Sequence, residues 1–387
     1  MSPKNINIMA LVLDELSDRK MLYNDTYAPF FVVSYALHMF NLINHERKIY
    51  WESKRIPNMR LHLLFVAPPG GMKTYSMQML GGEGSGIFSN CAYQIITRQN
   101  MNEAAMVGSI SFQNGESRTR EGEAQVHARD IIMIDEFSGI TSSLKSSFNS
   151  QMDTQLLAAL DHGHVVKSQA GGNIEYDTMF TLWAGVQPAK YDMSSGMGRR
   201  LCFLLNIPNE QMKFAIRRAI WDSKNIAPNE ATDNALNEII NSWAHSFSVI
   251  ESITYDYSIF ELYEELDLET YEMACYDRII LGYHLATYGA SQHIVLMAED
   301  GLLKSMIRSQ VEWRTLIGEG PDLIQIKKII EDHGKTDPVS GKKQMNRCDI
   351  NTFASKYQLS VSQINDKVNE MKSYGMLTIN RGMVTLA

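Results

Sequence analysis

Cysteine is scarce: Cys91, Cys202, Cys275 and Cys348 are the four in the chain, and they stand far apart. No pair has zinc-site spacing and no set of close pairs offers a disulfide framework, so free thiols in a reducing compartment are expected. Long apolar runs are missing too. None approaches the roughly 20 residues of a membrane span, and the start, Met1-Ser-Pro-Lys-Asn-Ile-Asn-Ile, lacks a signal-peptide core. The expectation is a cytoplasmic protein with no membrane partner. Positive charge is short, with 36 Lys and Arg against 44 Asp and Glu for a net of -8. That balance excludes a protein that coats nucleic acid through bulk charge and leaves only local basic elements for gripping a backbone. What is present is apolar: 44% of 387 residues, with 21% charged, enough for two or three globular domains.

Chemistry concentrates in Leu61-His-Leu-Leu-Phe-Val-Ala-Pro-Pro-Gly-Gly-Met-Lys-Thr74. Five apolar residues among the first six predict a buried strand, the Pro-Pro-Gly-Gly break a tight loop, and Lys73-Thr74 a helix start. In that arrangement backbone N–H groups and the helix dipole hold phosphates. The candidate contacts are Pro69, Gly70, Gly71, Met72, Lys73 and Thr74. The usual pattern has Gly six positions before the Lys and again directly before it, where this chain has Ala67 and Met72. Met72 is expected in the first helical turn, where φ is negative and glycine is not required. The bland alternative is an ordinary strand-to-helix turn. Upstream, helices are expected over 10–20 and 28–45, the second with a broad apolar face for the sheet that begins at Leu61. Downstream, the helix runs on to Leu80 and the glycines of 81–86 end it as a flexible connection.

A second stretch, Asp130-Ile-Ile-Met-Ile-Asp-Glu-Phe137, reads as a buried strand with Asp135 and Glu136 at its carboxyl end, where ligands bind in open α/β sheets. Asp135 can hold Mg²⁺, directly or through water, and Glu136 can orient and deprotonate a water. Coming 62 residues after Lys73, the pair supports an ATPase with ATP and Mg²⁺ as cofactors and Thr74 and Asp135 on the metal. Two hairpins flank this strand. Residues 109–120 turn at Asn114-Gly115, and residues 164–176 turn within 168–172, with Lys167 near the tip. A helix is expected over 146–161. A strand over 178–184 then delivers Gln187 to the edge that carries Asp135, where an amide can orient water or read a γ-phosphate. Arg199-Arg200 and a strand over 201–207 follow.

From Leu61 to Ile207 the order of parts resembles the minichromosome maintenance (MCM) helicases of the AAA+ ATPases. Residues 67–74 look like that family's phosphate loop, which also tolerates a non-glycine residue before the Lys. Gly122-Glu-Ala-Gln-Val-His-Ala-Arg-Asp-Ile-Ile-Met-Ile-Asp-Glu-Phe137 is closely similar to the stretch through its Walker B motif. The resemblance implies a catalytic set of Glu136, Gln187 as sensor 1 where the family has Asn, and Arg200 as an arginine finger for a neighbouring subunit. It puts the helix-2 insert on 109–120 and the pre-sensor-1 hairpin, with its DNA-contacting Lys, on Lys167. The finger motif reads Arg199-Arg200-Leu201-Cys202 without its Ser and Asp, which leaves Arg199 and Arg200 both open. No counterpart of the family's N-terminal collar precedes the phosphate loop. By resemblance the chain is a motor of a mobile element or virus, with a replication partner protein in place of the collar.

Residues 209–315 read as a helical lid. Within it, 276–286 resembles the helix bearing the family's sensor-2 arginine, here Arg278; a plain salt bridge is the bland alternative. The acidic run 261–269 reads as a solvated face, and Gly318-Glu-Gly-Pro321 as a linker. Beyond it, helices over 323–331, 350–357 and 361–374, a loop over 334–343 and a hairpin across Asn380-Arg-Gly382 read as a winged helix. Gln363, Lys367 and Asn365 face outward, and Arg381 sits on the hairpin turn. From Asp322 onward ten Lys or Arg oppose seven Asp or Glu, a net of +3, so the rest of the chain carries -11. The expected fold is α/β: an AAA+ P-loop NTPase core (1–208), a helical lid (209–315) and a C-terminal winged-helix domain (322–387). The expected function is an ATP-driven motor on single- or double-stranded DNA, acting in replication as a homo-oligomeric ring, a hexamer. Two readings compete with it. One is a non-unwinding AAA+ switch whose winged helix binds DNA or a partner protein; the other is a degenerate ATPase that holds nucleotide structurally.

Overall fold

The structure is a computed structural model and describes residues 6–47, 49–51, 54–55, 59–89, 91, 95–113, 116–140, 152–169, 172–188, 197–208, 210–224, 230–268, 272–319, 321–338, 340–354, 361–373 and 377–386. The first part of the chain forms α1 (Ile8–Asp18), α2 (Asn24–Asn44), β1 (Tyr50–Trp51), β2 (Lys54–Arg55), β3 (His62–Val66), α3 (Lys73–Gly81), β4 (Ile95–Asn100) and α4 (Glu103–Val107). There follow β5 (Gly108–Gln113), β6 (Glu116–Glu121), α5 (Glu123–Val126), β7 (Ile131–Glu136), α6 (Met152–Asp161), β8 (His164–Gln169), β9 (Gly172–Asp177), β10 (Thr181–Val186) and β11 (Leu201–Leu205). Then come α7 (Glu210–Ser223), α8 (Glu230–His245), β12 (Ser252–Tyr255), α9 (Tyr257–Glu265), α10 (Met273–Tyr288), β13 (His293–Leu296) and α11 (Gly301–Glu319). The chain closes with α12 (Pro321–His333), β14 (Lys335–Thr336), β15 (Lys343–Asn346), α13 (Arg347–Ala354), α14 (Val361–Ser373), β16 (Leu377–Asn380) and β17 (Met383–Leu386).

The central sheet has the order β11-β3-β10-β7-β4 with every pair parallel, so all carboxyl ends share one edge. β3, β10 and β11 are buried along their full length, as continuous apolar runs must be in a sheet covered on both faces. As expected, α2 lies on this sheet: Ser34 Oγ donates to the Leu61 carbonyl (2.6 Å) and accepts from Trp183 Nε1 (2.9 Å). α2 is the one described helix long and apolar enough to cross a membrane, and 89% of its most apolar window is buried inside the protein.

Three expectations change. First, α10, assigned to a lid, crosses α2 so closely that a Cβ on Gly282 would sit 2.6 Å from Val33 Cγ1, and the buried core runs unbroken from Ile8 to Ile317. Second, the region expected to be helical contributes β12 and β13 to a mixed sheet of order β13-β12-β1-β2; residues 293–296 alternate exposed and buried, the period of a half-covered strand. Third, the glycines of 81–86 make a packed turn rather than a flexible connection: a Cβ on Gly86 would lie 2.5 Å from the Gly82 nitrogen, and Ile87 and Phe88 are buried.

α11 extends through Gly318 to Glu319, so the expected linker is mostly helix; Gly320 lies outside the described residues. Pro321 opens α12, where its fixed φ suits a first helical position. α12, α13 and α14 enclose a second core with Ile326, Ile330, Ile350, Ile364, Val368 and Val384, closed by an antiparallel sheet of order β14-β15-β17-β16. The stretch 334–343, expected as a loop, supplies β14 and the start of β15. Asn380 pairs with Met383, leaving Arg381 (φ 47°) and Gly382 (φ 81°) as a two-residue turn of the left-handed kind that matches strand twist.

Candidate active site at the carboxyl edge of the central sheet

β3 ends in the Pro-Pro-Gly-Gly loop, and α3 begins at Lys73. Gly70 has φ 77°, and a Cβ on Gly71 would meet Ala67 Cβ at 2.8 Å and the Pro68 carbonyl at 2.9 Å, so neither position accepts a side chain cheaply. Met72 corrects the expectation of a negative φ: it is the N-cap of α3 with φ 68°. The left-handed backbone explains why glycine is usual there, and Met72 carries a strain of about 1 kcal/mol. Met72 caps no N–H with its side chain, which leaves the first turn of α3 open to an anion. Asn206, just past β11 and 2% exposed, donates from Nδ2 to the Gly71 carbonyl (3.0 Å) and fixes the loop from behind.

β7 brings Asp135 and Glu136 to the same edge. The Thr74 hydroxyl donates to Asp135 Oδ1, so the two groups read as metal ligands already touch. Gln187, one residue past β10, donates from Nε2 to Glu136 Oε2 (3.2 Å), and Ser138 N donates to Glu136 Oε1 (3.3 Å). Gly185 makes room for this convergence: a Cβ there would lie 2.7 Å from the Asp135 carbonyl and 3.1 Å from Lys73 Cδ. Lys73 therefore lies across β10 beside Asp135. Sequence reasoning gave Asn206 and Gly185 no role of their own, although a polar residue ending one apolar strand and a glycine inside another are usable signals.

Other candidate residues lie elsewhere. Leu201 pairs with His62, so Arg200 stands at the amino edge of the sheet, one five-residue strand or about 16 Å from the Lys73 edge. There it forms an ion pair with Asp161 (3.0 Å), while Arg199 is exposed. Arg278 on α10 also belongs to this edge, since its charge acts on both Arg60 and His62. Arg60 is buried and donates to the carbonyls of Phe180 (2.8 Å), Ala159 (2.9 Å) and Leu160 (3.2 Å). Burial, then the nearby Arg278 charge, lowers its pKa to about 9 against the opposing pull of Asp161.

The two hairpins form as expected, with Gln113 paired to Glu116 and Gln169 to Gly172; residues 114–115 and 170–171 lie outside the described residues. They pack on each other, so Lys167, near the tip of its hairpin, is enclosed rather than solvated. Lys167 is 2% exposed and donates from Nζ to the Gly108 carbonyl (3.0 Å), beside a Tyr176 hydroxyl bonded to the Val107 carbonyl (2.9 Å). In the second core Lys367 is half-buried and Arg381 exposed, while the side chain of Gln363 lies outside the described residues. Asn365 is committed internally: it accepts from Arg347 Nε through its side chain (3.0 Å) and from Arg347 Nη2 through its carbonyl (3.1 Å).

No protein-family model matches the chain, and no curated protein matches it.

Proposed function

We propose that this chain is an ATP-hydrolysing, ring-forming motor of the AAA+ type acting on DNA, resembling the ATPase core of an MCM helicase followed by a winged helix. One observation carries the proposal: Lys73, Thr74, Asp135, Glu136 and Gln187 converge on one edge of a parallel sheet. In this reading Lys73 and the open first turn of α3 bind the phosphates, Glu136 orients and deprotonates the attacking water, and Gln187 holds Glu136 in place. Thr74 and Asp135 present the hard oxygen donors that suit Mg²⁺, which when bound neutralises charge on the phosphates. Arg200 stands at the opposite edge from its own site, which fits a finger that would exchange its Asp161 ion pair for the site of the next subunit in a ring. Such a finger is worth about 4–7 kcal/mol if it reaches the 10³–10⁵-fold typical of its class. The three helices and strand-turn-strand of the second core support a winged helix, with Lys367 and Arg381 as its DNA contacts.

A second reading is favoured by the burial of Lys167. A hairpin whose lysine is bonded inside the same chain does not grip a strand, which fits a non-unwinding AAA+ switch. Fork unwinding and ATP turnover of the parent, Glu136→Gln and Lys167→Ala proteins separate these readings. The motor predicts DNA-stimulated turnover with strand separation, both lost in Glu136→Gln. Turnover without strand separation selects the switch, and ATP binding without turnover selects a degenerate ATPase. Parent-like turnover in Glu136→Gln removes Glu136 from the chemistry.

A further inference from the structure

α7 is held to the rest of the chain on one side, where Ile216 and Ala219 are buried. Its outer stripe, Phe214, Arg217, Arg218 and Trp221, follows the i, i+3, i+4, i+7 spacing of a single helix face, with Phe214 63% and Trp221 66% exposed. Lys224 adds a further cation 5.5 Å from the centre of the Trp221 ring. Two large aromatics bracketing two exposed arginines, of which Arg218 makes a long, exposed ion pair with Asp222 (3.8 Å), is the composition of a binding surface, since Trp and Arg are enriched where proteins meet.

A complementary surface lies on α9. Tyr257, Phe260, Glu261 and Glu264 repeat the same spacing with opposite charge, and Tyr257 is 67% and Phe260 50% exposed. Beside this stripe an open groove of about 440 Å³ is lined by Tyr263, Ile259 and Met273, with Asp256 and Asp277 in its wall. The carboxylates repel a phosphate backbone and attract guanidinium groups, so the groove selects a cationic, aromatic protein segment over a nucleic acid. Both stripes are exposed within one chain, so neither is covered by the other intramolecularly.

We propose that the occupant of the α9 groove is α7 of a second copy of this chain, with Phe214 or Trp221 entering the groove and Arg217 and Arg218 facing Glu261 and Glu264. With each copy's α7 on the next copy's α9 the contact is head-to-tail and closes into a ring or runs on as a filament, whereas a pair making the contact twice about a two-fold axis would stop at a dimer. The proposal rests on the ring reading above and supplies one of its contact surfaces.

Charge swapping tests it on the full chain, by sedimentation velocity with and without Mg²⁺ and ATP. Arg217→Glu with Arg218→Glu, and separately Glu261→Arg with Glu264→Arg, should each weaken self-association at least tenfold. The protein carrying all four changes should recover it, and a 1:1 mixture of the two reversed proteins should form an alternating complex. That recovery guards against a fold defect, as does an unchanged thermal melt. If neither reversal alters the assembly of an oligomeric parent, this surface is refuted and the ring stands on another. A parent that stays monomeric with Mg²⁺ and ATP refutes both. Loss of single-stranded oligonucleotide binding with assembly intact in the Arg217→Glu, Arg218→Glu protein makes α7 a nucleic-acid platform and overturns the proposal.

Discussion

At the amino edge of the central sheet, Arg60 and His62 are buried, and the bonds they make run to the main chain. Arg60 donates to carbonyls at the end of α6, and His62 donates from Nε2 to the Leu160 carbonyl (2.8 Å) while accepting from Leu182 N on Nδ1 (3.0 Å). At the carboxyl edge, four of the candidate groups bond to each other, Thr74 to Asp135 and Gln187 to Glu136, while Asn206 holds the Gly71 carbonyl. Arg60 and His62 satisfy orphan carbonyls at a helix terminus, which the fold requires, beside the Arg200–Asp161 ion pair of the same edge. Bonds between neighbouring side chains at the carboxyl edge can be exchanged for bonds to a ligand. One set of strands thus ends in scaffold bonds on one side and in exchangeable ones on the other.

Substitutions that separate folding from turnover test that contrast. The largest effect is expected for Glu136→Gln: ATP turnover falls by about 10²–10⁴, or roughly 3–5.5 kcal/mol in the barrier, with urea stability unchanged. A parallel loss of stability would make Glu136 part of the scaffold. Arg60→Met should do the reverse, costing about 3–5 kcal/mol in urea unfolding because it leaves buried carbonyls without donors. Stability close to the parent's would mean the α6 carbonyls find other donors.

Acid probes the amino edge by another route. Burial, more than any other cause, pushes His38 down to about 3, and burial together with the Arg60 charge holds His62 well below its ordinary value. Below about pH 6.5 the unfolded chain takes up protons that the folded chain refuses, so stability falls as pH falls. The slope is up to about 1.4 kcal/mol per pH unit for each histidine, readable from urea midpoints between pH 7.5 and 5. A flat profile in that window would show that both histidines titrate normally.

The smallest effect concerns the Pro-Pro-Gly-Gly loop itself. Met72 is 5% exposed, so replacing it by glycine removes both backbone strain and buried side chain, and the two partly cancel. Comparing Met72→Gly with Met72→Ala isolates the backbone. At φ 68° the glycine protein should be more stable by about 1 kcal/mol, whereas in an ordinary helical turn alanine would win by a similar margin.

Much of the carboxyl edge was legible before any fold was known. The apolar run of 62–66 and the glycines after it place Lys73 at a helix start, and the four apolar residues before Asp135 place the acids at a strand end. Gln187 followed from the same logic. Met72 was misread because the spacing says where a helix begins without saying which residue turns the chain into it. Lys167 is buried, where a hairpin lysine is usually solvated, because a second hairpin packed alongside covers it.

What the sequence by itself determined is therefore local: strand, loop and helix order, the chemistry at each strand end, and the charge split between the C-terminal part and the rest. The tertiary structure alone decided which of those groups meet. It set Asn206 behind the Pro-Pro-Gly-Gly loop, Lys73 across Gly185, Arg200 at the opposite edge from the candidate site, and Cys202 next to Cys275 despite their separation in the chain. Periodicity and turn chemistry act over a few residues, so they can be read along the chain. Burial and contact depend on elements far apart in sequence, and become visible only when those elements are packed together.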